Sequence, residues 1–200
     1  QLAEQNTRLR VLTGHGNVGF SRGCNTGASE AQGDHLLFLN PDAVLPSGVA
    51  QLLVNAGEDQ PQDDWAAGPR LLNPDGSEQR GSRRTILTPW NAFVEATWQK
   101  LQGFDDRFFL HVEDVDFFLR LNKIGGAAIY VPGAEIIHHK SSSQVDPLFV
   151  ERRKKQSLNL YFATHFKDVY PPGFLTLLRG LLWLSFSWRS VARRLRTAPR

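Results

Sequence analysis

His35-Leu36-Leu37-Phe38-Leu39 is a short, strongly apolar run that stops at Asn40-Pro41-Asp42. Five residues are too few for a stable helix, and Pro41 cannot donate to a continuing ladder, so the run reads as a buried strand closed by a turn. Similar short runs alternate with helical patterns along the chain. That alternation predicts an α/β fold with a mostly parallel sheet, followed by C-terminal helices. Sheets of this kind place ligands outside the carboxyl ends of their strands. By that rule alone Asn40-Pro41-Asp42 is a candidate site.

The other elements follow from local signals. Leu9-Arg10-Val11-Leu12 is a strand candidate, and Gly14-His15-Gly16 turns the chain. Asn17 stands where a helix N-cap belongs, and Gly19, Gly23 and Gly27 line one face, as close packing on a sheet requires. Gly33-Asp34 ends that helix. A second helix is expected from Pro46 to about Glu58, with Val49, Leu52, Leu53 and Ala56 on its apolar side. Trp65-Ala66-Ala67 starts a strand, and Asn73-Pro74-Asp75-Gly76 is a turn. Arg80, Arg83 and Arg84 form a basic patch, and Trp90 to Trp98 is a short helix. Glu113 to Lys123 is a helix with acids in its first turn, as the helix dipole favours, and Gly125-Gly126 ends it. Ala127–Val131 and Ala134–His138 read as two strands. From Pro147 the chain is helical, broken at Pro171-Pro172-Gly173. Residues 1–146 thus form an α/β domain and residues 147–200 a basic helical region.

Charge divides along the same line. The formal net charge is +3, but residues 1–150 carry 12 Lys and Arg against 18 Asp and Glu, while residues 151–200 carry 11 against 2. An acidic body suits a cation site and not a nucleic-acid footprint; a basic tail suits an anionic surface. Cys24 is the one cysteine, so no internal disulfide and no zinc-type cysteine pattern can form. It is expected to be a packing residue, and the cysteine content suits a reducing compartment. The chain has no Met and opens on the polar Gln1-Leu2-Ala3-Glu4-Gln5-Asn6, which reads as a helix whose front is cut away. No apolar stretch is long enough to span a bilayer.

Four motifs carry chemistry. Asp42 with Asn40 can hold Mg²⁺ or Mn²⁺ through oxygen atoms, or be a plain Asx-Pro turn. Glu113-Asp114-Val115-Asp116 can supply a general base and its partners, or simply cap a helix. Since positions two apart point away from each other, at most two of the three acids meet one site. Asn17-Val18-Gly19-Phe20 with Asn25 and Gly27 can admit a nucleotide at a helix start, although the spacing fits neither a Rossmann fingerprint nor a P-loop. One histidine of His138-His139, at a strand end, can ligate a metal or meet a diphosphate. No G-x-S-x-G nucleophile elbow occurs.

Taken in order, these pieces resemble inverting glycosyltransferases of family 2, and most the rhamnosyltransferase-like branch. Asn17-Val18-Gly19-Phe20 through Asn25-Thr26-Gly27 is similar to N-x-G-F-x-x-x-x-N-x-G. His35 through Asp42 is similar to the branch's LLFLNPD. Gly103-Phe104-Asp105-Asp106-Arg107-Phe108-Phe109 and Glu113-Asp114-Val115-Asp116 are similar to GFDE-x-FF and EDVD. Tyr130-Val131-Pro132-Gly133-Ala134 with His138 is similar to P-x-A-x-x-x-H. The resemblance implies a GT-A fold, here incomplete: the first βα unit, roughly 40–60 residues, and an x-G-A-x-x-x-x-R strand before Gly103 are missing from the pattern. It implies that Asp42 and His138 approach a divalent ion, Mg²⁺ or Mn²⁺, on the donor diphosphate. Asn17, Gly19, Asn25 and Asn40 would border the nucleotide-sugar donor. Asp114 would take the proton of the acceptor hydroxyl, with Glu113 beside it. The donor would be a nucleotide-diphosphate sugar, dTDP-rhamnose among the candidates, and the acceptor a cell-surface glycan or lipid-linked sugar.

Leu175 to Trp188 is rich in Leu and Trp, and Arg189, Arg193, Arg194, Arg196 and Arg200 follow. Such a segment suits a helix lying in a membrane interface, which would hold the protein at the cytoplasmic face of the cell membrane. The competing arrangement docks these leucines on the catalytic domain. Two further functions compete with the enzyme: a non-catalytic remnant that acts as a membrane-associated binding partner, and a binder of anionic polymers through the tail.

Overall fold

The computed structural model describes residues 9–79, 96–139, 146–171 and 173–184. Its elements are α1 (Phe20–Ser29), β1 (Ala43–Val44), α2 (Val49–Glu58), β2 (Trp65–Leu72), α3 (Ala96–Leu101), α4 (Glu113–Lys123), β3 (Ala127–His138) and α5 (Pro147–His165). The fold is α/β, as expected. The sheet order is β1-β3-β2. The long β2–β3 ladder is parallel, joined by a crossover through α3 and α4, whereas β1 pairs antiparallel with the last two residues of β3.

β2 alternates its small residues between two cores. Ala67 and Leu71 join Val49 and Leu53 of α2 with Ala134 and Ile136 of β3. Ala66 faces the other way, onto Phe104, Phe117 and Leu121, with Phe20, Phe38 and Trp98 packed around them. Trp98 and Phe104 meet edge to face at 5.0 Å between ring centres.

Several expectations are corrected. Leu9–Leu12 is not a strand; Leu9 and Val11 are exposed. Among the described residues His35–Leu39 makes a single bridge at Leu37 and no ladder. Its side chains still pack on both cores, because an apolar run specifies burial and not a hydrogen-bonded partner. The first helix ends at Ser29, four residues before Gly33, and is capped by Gly19, not Asn17. Gly23 and Gly27 are open, with nothing within 4 Å of an added Cβ, so helix–sheet contact does not explain them. β3 is one strand where two were expected. Pro69 pairs with Val131 but Arg70 with Glu135, so Pro132-Gly133-Ala134 bulge out of an unbroken strand opposite a proline that has no N–H to give. The Arg80, Arg83 and Arg84 patch and most of the Trp90–Trp98 helix lie outside the described residues.

One buried carboxylate ties three of these parts together. Asp116 of α4 is 1% exposed. Its Oδ2 accepts from Arg120 Nε at 2.8 Å, and its Oδ1 accepts from His165 Nε2 of α5 at 2.6 Å. The rest of the Arg120 fork donates to the carbonyls of Leu101 and Gly103. Lys123 Nζ donates to His165 Nδ1, which leaves Nε2–H to face Asp116. Removing one partner of such a pair strands a buried charge. Arg120→Leu is therefore expected to cost about 3–5 kcal/mol, read as a shift in the urea midpoint at neutral pH. A loss under about 1 kcal/mol would show that the cluster behaves as an ordinary surface pair.

Candidate active site

The turn after Leu39 is shaped by its own backbone. Ala43 N–H donates to Asn40 O, and β1 then pairs Ala43 with His138 and Val44 with Ile137. His139 N–H donates to Asp42 O. This antiparallel edge brings the two ends together: Asp42 Oδ1 lies 3.2 Å from His138 Nε2, and Asn40 Nδ2 lies 3.5 Å from the same nitrogen. Both side chains are largely covered, 17% and 12% exposed. The group sits at the carboxyl end of β3, where the fold rule places ligands. Among the described residues no cluster of three or more His, Cys, Asp or Glu forms a complete metal cage. A carboxylate oxygen and an imidazole nitrogen are nonetheless a suitable pair for an ion that completes its shell with phosphate oxygens and water.

Asn40 also lines a groove of about 390 Å³, bordered by Phe20, Cys24, Gly27 and the Leu36–Leu39 backbone segment. Cys24 is partly buried there, and burial, with the Glu113 charge second, pushes its thiol up to about 12. It is a packing residue and not a nucleophile.

α4 is entered through strain. His111 and Val112 both have positive φ, 66° and 72°. For β-branched Val112 this is a backbone outlier that the surroundings must impose. They do so from two sides. Phe20 N–H donates to Phe109 O, and an added Cβ on Gly19 would stand 2.5 Å from that oxygen, so only glycine allows this approach. Gly19 itself has φ 84° and donates its N–H to Asn17 Oδ1. From the other side Ser157 Oγ of α5 donates to Leu110 O, and Arg153 stacks over the Phe109 ring at 4.1 Å. Asn25 completes the frame: its Nδ2 donates to Phe104 O and Asp106 Oδ1, and its Oδ1 accepts from Phe104 N–H. Its amide is thus committed to the loop before α4.

Of the three acids, Asp116 is consumed by Arg120 and His165, as the two-apart spacing requires of one of them. Glu113 is 2% exposed, and among the described residues its Oε2 has no hydrogen-bond partner. Burial raises its carboxyl to about 7, with the Asp114 charge adding to the shift. Asp114 is 8% exposed, and the hydroxyl of Tyr161 on α5 is raised first by burial and then by the charges of Asp116 and Asp114. Burial therefore lets Glu113 keep its proton to a far higher pH than an exposed carboxyl would. Two residues escaped sequence reasoning. Tyr161 sits in the helix expected from Pro147, where the sequence pattern indicated no chemical role. Gln79, buried and bonded to His138, lies in a stretch with no recognisable periodicity.

A carboxyl whose folded pKa is raised holds its proton better in the folded chain, so Glu113 lowers stability as pH climbs from about 4.5 through 7. Glu113→Gln is expected to match wild type below pH 4 and to exceed it at pH 8 by on the order of 2 kcal/mol. Superimposable urea midpoints across that range would mean that Glu113 titrates like an exposed carboxyl.

Comparison with known proteins bears on all of this. The chain is 28% identical to the N-acetylglucosaminyl-diphospho-decaprenol L-rhamnosyltransferase of Mycobacterium tuberculosis, over 76% of this chain and 62% of that protein. It is 30% identical to the O-antigen biosynthesis protein RfbC of Myxococcus xanthus, over 60% of this chain and 12% of that protein. The chain thus spans less than two thirds of the length of these relatives. Its fold matches the mannosyltransferase PcManGT of Pyrobaculum calidifontis, solved with GDP-Man and Mn²⁺, at a TM-score of 0.57 and 16% identity, covering 99% of this chain and 61% of that one. It matches GalNAc-T7, solved with UDP, GalNAc and Mn²⁺, at a TM-score of 0.58 and 12% identity, covering 93% and 45%. These likenesses establish the GT-A fold. Residues 1–124 match the model described as Glycosyl transferase family 2, and with more than half its length so matched, the chain belongs to that family.

Proposed function

We propose that the protein transfers a sugar, with inversion, from a nucleotide-diphosphate sugar to a lipid-linked or cell-surface glycan acceptor. The observation that carries this is the meeting of Asp42, His138 and Asn40 at one strand end in a chain of this family. Asp42 and His138 hold the divalent ion, Mg²⁺ or Mn²⁺, and Asn40 borders the donor. Asn17, Gly19 and Asn25 act on the donor side through the loop they seat against α1. The bound ion supplies neutralisation of the negative charge that grows on the diphosphate as it leaves.

The remaining steps belong to the chain. Asp114 accepts the proton of the acceptor hydroxyl, whose oxygen attacks the anomeric carbon from the face opposite the diphosphate. The new carbon–oxygen bond forms as the bond to phosphate breaks, and the electron pair leaves with the diphosphate. Glu113, whose carboxyl burial raises to about 7, lessens the second negative charge beside that base. The mycobacterial relative's name specifies rhamnose and a lipid diphosphate acceptor; the same chemistry, with dTDP-rhamnose as donor, is the first to try here. Asp42→Ala and Asp114→Ala should each lower transfer by about 10²–10⁴-fold with unchanged circular dichroism. The assay is transfer of labelled sugar from a panel of nucleotide sugars to lipid extracts. Wild-type turnover in either variant would exclude the assignment.

The acceptor class fits a position at the inner face of the cell membrane. Residues 174–184 are helical, with Leu177, Leu181, Trp183 and Leu184 exposed and Lys155 of α5 beside the Trp183 ring. Among the described residues no helix is long and apolar enough to cross a membrane. An apolar face flanked by bases is the composition of a helix that lies in the headgroup layer. Deleting residues 173–200 should abolish flotation with vesicles containing anionic lipid; undiminished flotation would remove the tail from the membrane assignment.

A further inference from the structure

The turn Asn73-Pro74-Asp75-Gly76 looks like a plain chain reversal, yet its side chains form a directed relay that ends on His138. Asp75 can only accept, because the Ser77 hydroxyl and backbone N–H both donate to it and hold its carboxyl below the usual range. Ser77 Oγ, its proton spent on Asp75 at 2.6 Å, accepts from Asn73 Nδ2 at 2.9 Å. That fixes which way the Asn73 amide faces, and its Oδ1 accepts from Gln79 Nε2 at 3.3 Å. The same Nε2 donates to the backbone carbonyl of His138, also at 3.3 Å. With two acceptor-only partners on its nitrogen, the Gln79 amide has one orientation, and its Oε1 faces His138 Nδ1 at 3.0 Å. A carbonyl oxygen there requires a proton on Nδ1. The other ring nitrogen, Nε2, then presents its lone pair to the space it shares with Asp42 Oδ1 and the Asn40 amide.

We propose that Gln79 is a positioning residue of the cation site: oriented by Asn73, Ser77 and Asp75, it locks His138 in the Nδ1–H tautomer, so that the Nε2 lone pair and Asp42 Oδ1 point at one divalent ion. The proposal rests on the reading of Asp42 and His138 as ion ligands. Gln79 is 6% exposed and its backbone N–H donates to Leu71 O, so the amide is held by the fold and not by the ion. Outer partners of this kind fix the tautomer and direction of a ligating histidine, and their loss typically weakens metal binding by about 10–100-fold.

The test uses the full chain labelled with ¹⁵N-histidine, with the His138 signals assigned from their absence in His138→Asn. Long-range ¹H–¹⁵N correlation without metal at pH 8.5 should show His138 as the Nδ1–H form. Gln79→Leu, which keeps the side-chain size and removes the acceptor, should shift it to Nε2–H and weaken binding of Mn²⁺ alone, followed by electron paramagnetic resonance, by about 10–100-fold. Asn73→Ala, which removes the acceptor that helps orient the Gln79 amide, should give mixed tautomers with an intermediate Mn²⁺ affinity. An Nε2–H form in wild type, or an Nδ1–H form that survives both Gln79→Leu and Asn73→Ala, overturns the lock while leaving the ion site standing if Mn²⁺ still binds. A locked tautomer in a wild-type chain that binds no Mn²⁺ overturns the ion reading itself, and the proposal with it.

Discussion

The Asp116 carboxylate is the point on which the arrangement of helices turns. It sits two residues from Asp114 and is almost wholly removed from water. A carboxylate there is tolerable only with charged and hydrogen-bonded partners, and it has Arg120 on its own helix and His165 on α5. Because the Arg120 fork also grips the Leu101 and Gly103 carbonyls, the requirement to satisfy one buried charge fixes three chain segments against each other. Asp116 must face inward to meet Arg120 and His165. Asp114, two residues before it, must then face elsewhere.

The second constraint is the pairing of β1 with the end of β3. Two residues of antiparallel ladder contribute little by themselves, but they set the register at which Asp42 meets His138. The bulge at Pro132-Gly133-Ala134 matters for the same reason. It inserts residues into β3 between the ladder's two halves, so that Ile137 emerges opposite Leu72 and His138 just past it, beside the turn that carries Gln79. Strain at His111 and Val112 does comparable work on the other helix, holding the first acids of α4 in place through contacts from α1 and α5. Local backbone cost is concentrated around these polar groups, while the two apolar cores on either face of β2 hold the frame.

Much of this could be read from the chain. The helix around Leu53 follows from its apolar spacing, the one around Phe117 from the acids at its start and the glycines at its end, and the candidate side chains follow from motif order. Misreadings have physical causes. Asn17 satisfies the composition of an N-cap, but the close approach of Phe109 needs a residue without Cβ, and Gly19 takes the cap. Gly23 and Gly27 match a packing pattern that nothing in their surroundings uses. Pro132-Gly133 carries the composition of a break, yet the neighbouring strand absorbs it as a bulge. Gln79 gave no signal at all, because a single amide has no periodicity and its meaning lies in partners 6 and 59 positions away.

Sequence alone determined the class of fold and the inventory of chemical groups, since both depend on residue types at short spacing: alternating apolar runs, a proline-closed turn after a strand, three acids at a helix start. It also determined that one of those acids had to part company with the others, a consequence of helical geometry. Only the tertiary structure decided which acid that was, that burial raises the Glu113 carboxyl, and that Asn40, Asp42 and His138 share one corner with Gln79. Those outcomes depend on burial and on hydrogen bonds between residues far apart in the chain. Neither is encoded in any local window, because both exist only once the separate segments have packed.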